Sequence, residues 1–109
     1  MTQTNESPSS DPIIVRVDPV MKEILPEFLS NARHDVKLLR EAIAQSDYEA
    51  IARLGHSMKG AFGIGFDHLM EIGVSLEDQA KAQERSEIVR LVDELENYLS
   101  RVEPVFESG

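Results

Sequence analysis

The chain has 109 residues, of which 41% are hydrophobic, enough for one small domain with a single core. It has no cysteine, which excludes a disulfide framework, a thiolate metal site and a cysteine nucleophile. With 20 acidic residues against 11 basic, the net charge is −9, and no basic run offers a face to nucleic acid or to an anionic membrane.

The first residues, "MTQTNESPSSDP", are polar and lack both a basic start and an apolar stretch, so they do not read as a secretory signal. Residues 1–12 are expected to be a disordered leader and 13–109 one helical domain. The initiator methionine and this leader suggest a natural start, and with no secretory signal a cytoplasmic home is the expectation. No apolar run is long enough to span a bilayer. "IIVRV", Ile13 to Val17, has extended character, but no second strand signal pairs with it, and it is expected to lie along the outside of a helical body.

From Asp18 the pattern turns helical. Asp18 and Pro19 supply an N-cap carboxylate and a proline at the first helical position, which predicts a short helix to about Leu25. Pro26 kinks that helix or opens a second one, in which Leu29, Ala32, Val36, Leu39 and Ile43 form one apolar stripe ending at Gln45. "SDYE", Ser46 to Glu49, has the form of a capping box and opens a third helix, for which Gly63 and Gly65 are natural stops. Asp67 is a candidate cap for a fourth helix, with Leu69, Ile72, Leu76 and Ala80 inward. Ser86 is a candidate cap for the last, whose stripe is Ile88, Leu91, Val92, Leu95, Tyr98, Leu99 and Val102, limited by Pro104. Amphipathic helices joined by short turns bury their stripes on one another. The pattern predicts an all-α fold, an antiparallel up-and-down four-helix bundle with a short additional N-terminal helix.

The third helix carries a concentration of glycine around one histidine: Gly55, Gly60, Gly63 and Gly65 about His56. Each interior glycine costs a helix about 1 kcal/mol relative to alanine. At about 100° per residue, Lys59, Gly60, Gly63, Ala52 and Arg53 fall within about 60° of His56, while Ile51, Leu54, Met58, Ala61 and Phe62 fall on the opposite side. His56 is therefore expected to face water over a strip of helix left bare by Gly60 and Gly63. A free imidazole titrates near about 6.5, so at neutral pH most of it is neutral and carries a nucleophilic lone pair. Lys59, and also Arg53, stand where they can neutralise phosphoryl oxygens.

His56, Lys59 and Gly60, with Gly63 as the next small residue, resemble the motif of the histidine-containing phosphotransfer (Hpt) domain of two-component signalling. The likeness extends from about Asp18 to Val102, including "LEDQAKA" and the last amphipathic helix. It departs in two places: Gly65 lies one residue nearer the histidine than the family's glycine commonly does, and Phe62 stands where a small residue is frequent. The resemblance implies that His56 accepts a phosphoryl group from a receiver-domain aspartate and passes it to another receiver. It also implies no ATP site and no kinase activity, with Mg²⁺ held by the receiver. The partners implied are response-regulator receiver domains and a hybrid sensor histidine kinase. The sequence accordingly shows no P-loop, nucleotide lid or paired acidic pocket.

A competing reading is a non-catalytic adaptor that uses the same bundle face to bind a receiver or kinase. Another is a segment of a larger hybrid kinase. His34 and His68 sit on other predicted helices without ligand spacing and read as surface residues, so no metal centre is expected. Glu41, Glu71 and Glu77 read as solvated faces or cap partners, Met58 and Met70 as core filler. With no large unexplained apolar face, the expected state is a monomer.

Overall fold

The computed structural model describes residues 11–59 and 66–106. Within them the chain forms α1 (Leu25–Ala44), α2 (Tyr48–Met58), α3 (Asp67–Lys81) and α4 (Arg85–Arg101), flanked by β1 (Ile13–Val17) and β2 (Val102–Phe106). α1 packs on α2 and α4, and α3 packs on α2 and α4, making a four-helix bundle. The apolar stripes read from the sequence are its core. Leu29, Ala32, Val36, Leu39 and Ile43 are buried on α1, Leu69, Ile72, Leu76 and Ala80 on α3, and Ile88 to Leu99 on α4 at helical spacing.

Four local expectations are corrected. In place of a helix from Asp18 to Leu25 there is one 3₁₀ turn, Pro19–Met21, capped by Asp18 Oδ1, which accepts from Val20 N at 2.9 Å. A helix running through this region would need the N–H of Pro26, which does not exist; the proline instead sits in the first turn of α1, where that N–H has no partner to lose. The cap of α2 is Asp47, whose Oδ1 accepts from Ala50 N at 3.1 Å, and not Ser46. Asp67 and Ser86 are helical residues rather than caps: α3 and α4 follow Phe66 and Glu84, with no side-chain cap bond at either.

The fourth correction concerns the strands. β1 does not lie alone but pairs in parallel with β2, from Ile13 opposite Val102 to Val17 opposite Phe106. Val102, the last residue of the expected α4 stripe, is the first of β2. A parallel pair needs a long crossover, and here the whole bundle supplies it. Pro104, which donates no hydrogen bond, is accommodated because the two-stranded sheet leaves outer edges. Val17 and Val102 are buried with the helical core, so the strand pair closes one end of the bundle.

The turns have a shared construction. Ser46 and Gln83 have φ of 54° and 55°. Asp47 N bonds to Ala42 O and Ser46 N to Ile43 O; Glu84 N bonds to Gln79 O and Gln83 N to Ala80 O. Each pair is the crossed closure of a Schellman motif, with a non-glycine residue in the left-handed position. Arg85 Nη1 donates to Ile43 O at 2.7 Å, tying the start of α4 to the end of α1.

Candidate functional site

The Asp47 cap fixes where α2 starts and so which of its faces turns inward. Ile51, Gly55 and Met58 are buried, Met58 as the core filler the sequence suggested. Gly55 and Gly73 are buried where α2 crosses α3. A Cβ at Gly55 would lie 2.7 Å from Gly73 O and 2.9 Å from Glu77 N, and one at Gly73 would lie 2.6 Å from Met58 Cβ. Gly55 is thus bare because two backbones meet there. The expectation that Gly60 and Gly63 leave the helix open falls outside the described residues, as do Phe62 and Gly65.

The close crossing brings the outer edge of α2 beside the outer edge of α3. His56 is 68% exposed and faces water as expected, with Nδ1 at 3.4 Å from Glu77 Oε2. Lys59, the residue after α2, places Nζ at 2.7 Å from Glu77 Oε1. Lys81, one turn along α3 from Glu77, places Nζ at 3.4 Å from Oε2. His56 and Lys59 are therefore joined through a carboxylate. Arg53 is exposed on α2, lining a groove between α1 and α2 with Leu38 and Glu41.

Glu77 is the residue that the sequence reading undervalued. Its side chain is only 14% exposed, which is not a solvated face. Its pKa is lowered to about 2, first by the hydrogen bond from Lys59, against the opposing effect of partial burial. The charges of Lys59 and Lys81 and the contact with His56 add to the lowering. It is therefore ionised throughout the neutral range. Two spacings in the sequence point toward it: Lys81 follows Glu77 by one turn, and Gly73 precedes it by one turn. The cross-helix register that turns these spacings into a site is not in either of them.

A carboxylate beside Nδ1 favours the tautomer with the proton on that nitrogen and leaves the lone pair on Nε2. Lys59 supplies a compact positive charge at the other oxygen of the same carboxylate. The arrangement suits nucleophilic attack by Nε2 on an electrophile carrying anionic oxygens. Of the other histidines, His68 places Nε2 3.1 Å from Glu94 Oε2 and packs against Tyr98 with ring centroids 5.1 Å apart and the planes tilted by 53°. Among the described residues no three or more His, Asp or Glu side chains are grouped to hold a metal ion.

The family model of the Hpt domain matches residues 23–104, most of the chain. Comparison with curated proteins and with solved structures gives no significant match.

Proposed function

The chain belongs to the Hpt domain family, and we propose that it is a phosphorelay intermediate that accepts a phosphoryl group on His56 and passes it between receiver domains. The family places it in two-component phosphotransfer, with receiver domains and kinases as its class of partner. The observation that carries the assignment to His56 is an exposed imidazole whose Nδ1 faces a carboxylate held ionised by lysines.

In this reading Nε2 attacks the phosphorus of a receiver's aspartyl phosphate. The N–P bond forms as the P–O bond to the aspartate breaks, and the electron pair leaves with the carboxylate. Glu77 holds the ring with Nδ1 protonated and favours the cationic character that develops on it. Lys59 offsets charge on the phosphoryl oxygens, and Arg53 borders the docking face. The divalent cation belongs to the receiver. The reading also keeps the up-and-down antiparallel arrangement, supported by contacts of Arg85 with Ile43, Arg40 with Asp93 and Glu96, and Arg33 with Leu99. No helix among the described residues is long and apolar enough to cross a membrane, and the reading places the protein with its receivers in the cytoplasm.

The test is incubation with phosphorylated receiver domains. Acid-labile, alkali-stable label is expected on the wild-type chain and none on His56→Gln. Label that persists in His56→Gln overturns the acceptor assignment. Receiver binding without any labelling, unchanged by His56→Ala, makes the protein an adaptor instead.

A further inference from the structure

Glu77 has more positive charge around it than one carboxylate needs. Lys59 engages Oε1 at 2.7 Å, while Lys81 lies 3.4 Å from Oε2, the oxygen that also faces His56 Nδ1. The two lysines differ in what they can do next. Lys59 follows His56 by three residues, directly after the same helix, and its side chain is 41% exposed. Lys81 is on Glu77's own helix, four residues on, in the spacing at which a glutamate preceding a lysine is favoured.

With His56 neutral, Glu77, Lys59 and Lys81 sum to one positive charge. A phosphoryl group brings about −1.5 to −2, so the cluster becomes negative and Lys59 has two anions competing for it. Turning Lys59 to the phosphoryl oxygens leaves a partly buried carboxylate facing a phosphorylated ring, and an uncompensated carboxylate there is costly. That cost falls if a second cation is already in place.

We propose that Lys81 is a positioning residue for phosphoryl transfer: it holds the Glu77 carboxylate when Lys59 turns from that carboxylate to the phosphoryl group on His56. The proposal rests on the reading of His56 as the acceptor. Lys81 works through Glu77 and touches neither the reacting nitrogen nor the phosphoryl group. Glu77 then keeps its contact with Nδ1 in both states, and the ring keeps its orientation while its charge partner changes.

The experiment uses the full chain with phosphoramidate, which gives its phosphoryl group to Nε2 as ammonia leaves, so that no receiver is needed. Phosphohistidine is followed by ³¹P NMR and its lifetime measured for wild type, Lys81→Met, Lys81→Arg, Glu77→Gln and the Glu77→Gln/Lys81→Met double variant. Lys81→Met is expected to shorten the lifetime by about two- to fivefold, the range set by a partly exposed ion pair. Lys81→Arg is expected to restore it. In the Glu77→Gln background, Lys81→Met is expected to make no further difference, because there is no carboxylate left to hold. An unchanged lifetime in Lys81→Met overturns the proposal. So does an equal loss in the Glu77→Gln background, which would put Lys81 on the phosphoryl group itself. A wild-type chain that takes no phosphoryl group overturns the acceptor reading and this proposal with it. A labelled wild type that is insensitive to Lys81 overturns the proposal alone. Far-UV circular dichroism and urea midpoints establish that each variant is folded.

Discussion

A Cβ on Gly55 would stand 2.7 Å from the carbonyl oxygen of Gly73, so α2 and α3 meet backbone to backbone at this pair. The nearest atoms on both sides include main-chain atoms, which cannot swing aside as a side chain would. Gly55→Ala and Gly73→Ala each gain about 1 kcal/mol in helix propensity but force the helices apart, at a cost of about 1–3 kcal/mol or somewhat more. Each is expected to lower stability on balance by up to about 2 kcal/mol, read as a lower urea midpoint with an unchanged m-value. Because the same crossing sets the distance from His56 to Glu77, both variants are also expected to slow phosphoryl uptake.

Glu77 predicts an acid-linked loss of stability. Its folded pKa of about 2 lies below the ordinary 4.5, so the folded protein binds that proton less readily than the unfolded chain does. The contribution is complete above the unfolded value of 4.5 and is lost as pH falls toward about 2. Urea unfolding of wild type and Glu77→Gln should therefore differ most near neutral pH, with wild type the more stable, and converge as the pH is lowered through that window. A difference that stays constant with pH would show that Glu77 stabilises by packing and not by charge.

What the sequence disclosed and what it withheld divide along a physical line. The stripes of α1, α3 and α4 were legible because a helical period is a local property, and one buried face is enough to reveal it. The exposure of His56 was legible for the same reason, being fixed by its angle from Ile51 and Met58. The β1–β2 pair was not, since Ile13 finds its partner at Val102, near the opposite end of the chain, in residues that also continue a helical pattern. Glu77 was misjudged because its partners His56 and Lys59 lie on and just after another helix. The close Gly55–Gly73 crossing is what brings those helices into that register. The Ser46 cap failed because Ser46 is used by the preceding helix end, in a left-handed conformation, which leaves Asp47 to cap α2.

The left-handed turn residues carry a stabilising prediction. Gln83 has φ of 55° at the end of α3, a conformation that costs a residue with a Cβ about 1–2 kcal/mol. Glycine relieves this but adds about 0.4–1 kcal/mol of unfolded-state entropy. Gln83→Gly is expected to stabilise the protein by about 0.5–1 kcal/mol, visible as a higher thermal midpoint. Phosphoryl uptake should be unchanged, because the turn carries none of the groups around His56.

Lys59 is tied to Glu77 at 2.7 Å in the unphosphorylated protein, so its removal acts on two states. In the resting state Lys59→Ala removes a partly exposed ion pair, a loss of about 1 kcal/mol or less, with Lys81 still beside the carboxylate. In the phosphorylated state it removes the cation that would turn to the phosphoryl oxygens, and Lys81 alone is left to offset Glu77. The expected outcome is a small fall in urea midpoint together with a larger fall in phosphohistidine lifetime. If Lys59 served only to anchor Glu77, Glu77→Gln/Lys59→Ala would behave as Glu77→Gln alone. If it meets the phosphoryl group, the double variant should lose lifetime beyond either single change. The ratio of the lifetimes of Glu77→Gln and the double variant decides between the two roles: it stays near one for an anchor and rises above one for a phosphoryl partner.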